Sequence, residues 1–138
     1  MLEKTSGITP ADTTHPFDRA TQVMSVDGKL RGTASDDYFA FVGPFGGATA
    51  ATLLRAIMQH PERAGDPLSI TVNLCAPVSN AAFDLDVRLI KATRSTQHWM
   101  VELSQAGDIA AFATAVFAAR RPSWSHQPAT MPSAPPFE

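Results

Sequence analysis

Two adjacent glycines, Gly46 and Gly47, stand directly before an alanine- and leucine-rich segment. Because they lack side chains, another molecule can closely approach their backbone N–H groups. In the first turn of a helix these N–H groups point outward and carry partial positive charge. Such an end can hold an anion, or an oxygen that becomes negative during a reaction. The alternative is that the glycines only allow close packing of helix on sheet.

A second pair of residues that could take part in chemistry is Asp36-Asp37, in the segment that leads into Gly46 and Gly47. Asp37 could serve as a general base. The more ordinary interpretation is that the acidic pair caps a short helical turn, since carboxylates are favoured at helix starts. The sequence leaves both uses open.

The segment after the glycines has the pattern of one long helix. Its apolar residues recur at helical spacing, at Ala50, Leu53, Leu54, Ile57 and Met58. Pro61 follows and ends the helix. We expect this helix to lie inside the fold, with Leu53, Leu54 and Ile57 fully buried.

Composition limits the function classes. The chain has 138 residues, 44% of them hydrophobic, and a net charge of -2, which suits one domain with a real core. Lys and Arg are not clustered, so we expect no nucleic-acid partner. No run approaches the ~20 apolar residues of a membrane span, and the first residues lack the order of a signal peptide. Cys75 is the single cysteine, which fits a reducing compartment. We therefore expect a cytoplasmic protein without membrane contact, cofactor or metal site.

Strands surround the predicted helix on both sides. Apolar segments bounded by turn residues predict strands at 20–26, 29–35, 68–75, 84–94, 98–105 and 109–119, with clear alternation of apolar and polar residues at 68–75 and 84–94. Asp27-Gly28 predicts a tight hairpin turn between the first two. Trp99, Val101 and Leu103 should share one buried face. The last strand is apolar on both faces, which indicates a central strand covered on both sides.

One apolar helix satisfies a five- or six-stranded antiparallel sheet only if the sheet curls around it. The predicted fold class is therefore α+β, a hotdog fold with a curved antiparallel sheet wrapped around one central helix. We expect a flexible lead-in at 1–14, a single domain at 15–124, and a proline-rich tail or linker at 125–138. The doubly apolar last strand predicts a homo-oligomer, a dimer or tetramer, in which a second copy supplies cover.

Four short motifs resemble the first half of double-hotdog acyl-CoA thioesterases. They are Phe45-Gly46-Gly47 before the helix, Leu74-Cys75-Ala76-Pro77 closing a strand, Thr93-Arg94-Ser95-Thr96 before a strand, and the strand–turn–strand from Glu102 to Ala110. Their order and spacing match across roughly residues 15–124. In that family a proline-rich linker joins the first hotdog to a second, and the tail of this chain is similar to that linker.

The resemblance also implies where this chain departs from an active enzyme. Catalysis in the family lies mainly in the second half, where an Asp near the helix start, a Ser or Thr and a Gln hold the attacking water. Here Gly46 and Gly47 have no neighbouring Asp, and the stretch from Phe112 to Val116 has no Gln. The family's catalytic set does not carry over to these positions.

The resemblance gives the remaining polar residues candidate roles with an acyl-CoA substrate. Asn73 faces away from the apolar side of its strand and could hold water against a partner, or be a surface amide. Arg94 and Ser95 could meet a CoA phosphate, or lie in a solvated loop. Gln105 could contact the ligand, or only cap a turn. Together with Gly46, Gly47 and Asp37 these form the predicted site.

The function implied is acyl-CoA thioester hydrolysis or binding within fatty acid metabolism, by this chain as a single-hotdog thioesterase that pairs with itself or as one half of a double-hotdog enzyme. The alternative is a non-catalytic acyl-binding or structural hotdog that acts through oligomerisation. A dehydratase or hydratase of this fold is a third hypothesis. It is disfavoured because such enzymes usually carry a His and an acidic residue near the helix, and the helix start here has neither.

Overall fold

The computed structural model describes residues 15–136, which form an α+β hotdog fold. Two α-helices, six strands and one 3-10 helix follow in chain order: α1 (Pro16–Ala20), β1 (Met24–Val26), β2 (Lys29–Thr33), the 3-10 helix (Asp36–Tyr38), α2 (Gly46–Met58), β3 (Asp66–Leu74), β4 (Ala82–Ala92), β5 (Thr96–Gln105) and β6 (Asp108–Ala118). The strands form one antiparallel sheet in the order β1-β2-β4-β5-β6-β3. The predicted curved sheet around one central helix is confirmed.

Helix α2 packs into the concave side of the sheet through one face. That face comprises Ala48, Thr49, Thr52, Leu53, Ala56 and Ile57. Leu53 and Ile57 are fully buried as predicted, but Leu54 is only half-buried. Each residue advances about 100° around a helix axis, and this step carries Leu54 from the buried stripe to its solvent-facing margin.

The sheet side of the core combines large residues with small ones. Trp99, Val101 and Leu103 of β5 are buried on one face, as predicted, together with Phe117 of β6. The remaining core positions of β6 are mainly alanines, at Ala111, Ala113 and Ala115. These short side chains let α2 approach the sheet closely, which supports close interior packing.

The first predicted strand, 20–26, is wrong in its length. Residues Pro16–Ala20 form α1 instead, and β1 begins only at Met24. The helix starts there because Pro16 suits a first helical turn and the His15 imidazole accepts a hydrogen bond from the Phe17 N–H at 3.1 Å. The predicted hairpin turn is present, with φ of 50° at Asp27 and 77° at Gly28.

Strand β3 forms one edge of the sheet, and β6 lies next to it. Its alternation predicted one buried face, yet Leu68 and Leu74 are exposed, and only Ile70 and Val72 are half-buried. The reason is position, because the edge strand extends beyond the width that one helix covers. The outer face of β6 is likewise not covered within residues 15–136, where Phe112 and Val116 are half-buried and Thr114 is exposed.

Residues 119–136 have no regular secondary structure and are exposed along their length. The Trp124 and His126 rings stack on each other, with centroids 5.5 Å apart. The predicted lead-in at 1–14 and the last two residues lie outside the described residues. None of the helices within residues 15–136 has the length and apolar character needed to cross a lipid bilayer.

Candidate functional site

The start of α2 opens into an apolar groove of about 450 Å³. One wall is the loop before the helix, where Phe41, Val42 and Phe45 are exposed. The other wall is the end of β3 and the loop after it, with Leu74 and Pro77. Exposed large apolar side chains concentrated in one place mark a surface that binds something.

Backbone hydrogen bonds hold both walls in place. The Phe45 N–H donates to the Tyr38 carbonyl at 2.7 Å, and the Ala40 N–H donates to the Gly43 carbonyl at 2.7 Å. On the other wall, the N–H groups of Cys75 and Ala76 both donate to the Ala110 carbonyl, at 2.9 and 3.0 Å. The groove is therefore built from loops that are pinned to the fold.

The helix start presents two free donors. Phe45 is the N-cap residue, its side chain makes no capping hydrogen bond, and the first turn carries no acidic residue. The Phe45 carbonyl accepts from Ala48 at 2.8 Å and from Thr49 at 3.3 Å. The N–H groups of Gly46 and Gly47 have no acceptor among residues 15–136. Their hydrogen bonds are left for a ligand or water.

Both glycines also have a packing role. A Cβ atom at Gly46 would lie 3.0 Å from the Leu74 Cδ1 atom of β3. A Cβ at Gly47 would lie 2.5 Å from the edge of the Phe45 ring. Close packing and open N–H groups, weighed as alternatives from the sequence, occur together here.

Asp37 lies in the 3-10 helix and does not line the groove. Its carboxylate pairs with Arg19 at 3.5 Å, and its N–H donates to the Ser35 hydroxyl at 3.3 Å. Asp36 accepts a hydrogen bond from Asn80 at 2.5 Å. The acidic pair therefore stabilises the loop that precedes the groove, while Ser35 caps the turn.

Asn73 lies beside the groove but on the other face of the sheet. Leu74 points toward Gly46, and consecutive strand residues point to opposite faces. Asn73 therefore faces outward, opposite Phe112 of β6 in the register. It is exposed there, on the side predicted from its strand pattern.

The Gln105 side chain is occupied by the loop that follows β3. Its Oε1 atom accepts from the Ser79 N–H at 2.8 Å, and its Nε2 atom donates to the carbonyls of Ser79 and Ala81, both at 3.2 Å. These bonds join β5 to the loop between β3 and β4. Gln105 thus positions one side of the groove from behind.

Arg94 and Ser95 lie at the opposite end of α2 from the glycines. His60 follows the C-terminal end of α2. Its ring packs against Trp99, near the start of β5, with the two ring centroids 4.9 Å apart. Arg94 and Ser95 line a separate cavity of about 90 Å³ at that end, with Ala64. The thirteen residues of α2 span ~20 Å. Arg94 and Ser95 therefore lie too far from Gly47 of the same protomer to contact one ligand atom with it.

A family model described as the acyl-CoA thioesterase N-terminal domain matches residues 35–118, from the turn before the groove to the end of β6. The chain belongs to this family. No curated protein matches it. The matched range contains both walls of the groove and the whole of α2.

Solved structures of similar fold fall into two sizes. A conserved hotdog protein of unknown function from Alicyclobacillus acidocaldarius is 48% identical over 89% of this chain and 47% of its own, with a TM-score of 0.81. An acyl-CoA thioesterase II from Mycobacterium marinum is 19% identical over 87% and 45%, with a TM-score of 0.69. The chain spans slightly less than half the length of both. A variant phenylacetic acid degradation protein from Thermus thermophilus is 18% identical to this chain, with a TM-score of 0.64. That match covers 77% of this chain and 100% of the Thermus protein.

The sequence did not single out the apolar groove residues of this acyl-CoA thioesterase N-terminal domain. Phe41, Val42, Phe45 and Val78 line the groove, yet none was predicted as a site residue. One available pattern was the cluster of large apolar side chains between the acidic pair and Gly43, in a segment whose sequence fits a short turn of helix or an irregular loop. Val78 gave no comparable indication, because its placement depends on how the loop after β3 folds back.

Proposed function

We propose that this chain binds acyl-CoA thioesters in the groove at the start of α2 and serves as one half of a thioesterase site. The observation that carries the proposal is that the N–H groups of Gly46 and Gly47 have no acceptor among residues 15–136, at a helix start where Gly46 lines an apolar groove. The N–H groups would donate hydrogen bonds to the thioester carbonyl oxygen and stabilise its negative charge in the transition state. The apolar walls would take the acyl chain.

Hydrolysis also needs a group that orients the attacking water. Among the described residues that line the groove there is no carboxylate, side-chain amide or imidazole. Asp37 is paired with Arg19, and Asn73 faces the outer side of the sheet. We infer that a second hotdog unit supplies this group, and with it the arginine that would meet CoA, since Arg94 and Ser95 of the same protomer lie too far away.

The same observation supports a second candidate. A chain that supplies oxyanion donors and an acyl groove, but no water-orienting group, would act as an acyl-binding or structural subunit in an oligomer. The two candidates differ in whether a second copy of this chain can complete the site. A cytoplasmic location remains a prediction for either candidate.

The experiment that tests the proposal measures both binding and turnover by the purified chain. We expect saturable binding of S-alkyl-CoA thioethers, which cannot be hydrolysed, and slow turnover of the matching acyl-CoA thioesters. Absence of binding at millimolar concentration would contradict the proposed function. Fast turnover by a monomer would contradict the need for a second unit. Asp37 and Asn73 would then be the candidates for the group that orients the attacking water.

Strand β3 gives the expected partner a place to bind. Between Pro67 and Ala76 this edge strand carries no charge, and a long uncharged edge with unpaired backbone groups favours pairing with another strand. We expect a homo-oligomer in solution. Sedimentation of the wild-type chain as a monomer at micromolar concentration would contradict this.

A matched pair of variants tests the edge itself. Leu68 lies on β3 and Ile90 on β4, and the two side chains are similarly exposed, at 62% and 57%. Leu68→Lys should shift the oligomer toward monomer, because the charge would be buried between paired edges. Ile90→Lys should leave the sedimentation coefficient unchanged. The opposite order of effects would move the interface away from β3.

A further inference from the structure

A second, inner cavity lies behind the groove, between α2 and the sheet. It is lined by residues of the core that include Ala48, Thr52, Phe83 and Leu103. Its volume is about 10 Å³, which is at the lower limit for a single water molecule. The groove and the inner cavity share three lining residues, Pro44, Thr49 and Val78.

We infer that Pro44, Thr49 and Val78 form the end wall of the acyl site and set the longest acyl chain that the groove accepts. The inference rests on the proposed function, because it assumes that the acyl chain enters the groove from Gly46. An acyl chain growing along the groove meets this wall before it reaches the inner cavity. The wild-type site is therefore selective for acyl chains that end at the wall.

The wall is rigid for reasons visible in its contacts. Val78 and Thr49 are each 5% exposed. A Cβ atom at Gly43 would lie 2.9 Å from the Val78 carbonyl oxygen, so the two loops touch backbone to backbone. The Gln105 side chain fixes the residue after Val78 through its bonds to the N–H and carbonyl of Ser79. Gln105 is therefore a positioning residue for the wall.

Thr49 adds a polar group to this wall. Its neighbour along the helix, Thr52, donates its hydroxyl hydrogen bond to the Ala48 carbonyl at 2.9 Å. The Thr49 hydroxyl makes no hydrogen bond within residues 15–136. Replacing Thr49 by valine keeps the shape of the wall and removes the hydroxyl, whereas replacing it by alanine opens the wall.

The test measures how binding depends on chain length, with S-alkyl-CoA thioethers of two to twelve alkyl carbons as probes. In the wild type, affinity should rise about fourfold with each added methylene until the chain reaches the wall, and then stop rising. In Val78→Ala and Thr49→Ala the rise should continue, so that the longer probes bind more than ~10-fold tighter than to the wild type.

Two variants serve as controls. Val101→Ala removes the same atoms from a fully buried position on β5 that lines neither cavity, so its length limit should match the wild type. Thr49→Val should also keep the wild-type limit. Folding of each variant is verified by its thermal transition, and Thr49→Ala keeps the test usable if Val78→Ala does not fold.

The outcomes separate the two proposals. If no probe binds to the wild type, the proposed function fails and the wall fails with it. If probes bind but affinity rises without a break through twelve carbons, the inference that these three residues limit chain length is contradicted, while the proposed function stands. The wall is also overturned if the break occurs at the same length in the wild type and both alanine variants.

Discussion

On the proposed function, replacing Gly47 with valine should lower the turnover of acyl-CoA by the oligomer of this chain by ~10²–10³, the usual loss when one oxyanion donor is removed. A branched side chain would stand beside the N–H group that the thioester oxygen must reach. A Cβ atom at this position would already lie 2.5 Å from the Phe45 ring, so the ring, which lines the groove, must shift. The measurement is steady-state kinetics with binding of the S-alkyl-CoA thioether.

A matched control is available in the same helix. Ala51→Val introduces the same β-branched side chain at a half-buried position of α2 outside the groove. It lowers helix propensity, which Gly47→Val does not, and so is a stringent control; because it leaves the helix start open, rate and affinity should remain near the wild-type values. Unchanged binding and turnover in Gly47→Val would remove the helix start from the mechanism.

Replacing Leu53 with alanine should lower the free energy of unfolding by about 2–5 kcal/mol, the usual cost of emptying a fully buried leucine site. Leu53 has no exposed surface and lies in the core with Ile57 and Phe117. Because a small domain is stable by only ~5–15 kcal/mol, this one change would remove a large share of its stability. Urea denaturation measures the difference.

Leu54→Ala is the control for that prediction. The same atoms are removed one residue further along α2, where the side chain is half-buried, so the loss should be clearly smaller than for Leu53. Equal losses at the two positions would mean that α2 sits deeper in the sheet than described. A loss below ~0.5 kcal/mol at Leu53 would mean that α2 is peripheral, since surface changes fall in that range.

The sequence predicted the fold through periodicities that local physics enforces. The helical spacing from Ala50 to Met58 and the alternation along β5 follow from which side chains must leave water. The order of the strands has no such local cause. Nothing in the alternation of β3 indicates that it is the edge strand, so the exposure of Leu68 and Leu74 could not be foreseen.

The site was only partly predictable for a related reason. Gly46 and Gly47 are adjacent in the chain and mark a helix start, which is a local feature. The role of Gln105 depends on Ser79, which lies 26 residues away. The separation of Arg94 from Gly47 depends on the direction in which α2 crosses the sheet. Contacts of this kind are set by the assembled fold, and no short-range pattern encodes them.

The central claim is that the free N–H groups of Gly46 and Gly47 receive the thioester of an acyl-CoA. The most direct test records the backbone amide resonances of the ¹⁵N-labelled chain while a short S-alkyl-CoA thioether and, separately, a slowly hydrolysed acyl-CoA are added. The thioether lacks the carbonyl oxygen, so the comparison isolates the contact to that atom. We predict that both ligands shift the groove resonances, and that only the acyl-CoA moves the Gly46 and Gly47 amide protons strongly. Equal shifts of these two amides with both ligands, or shifts confined to Arg94 and Ser95, would contradict the account.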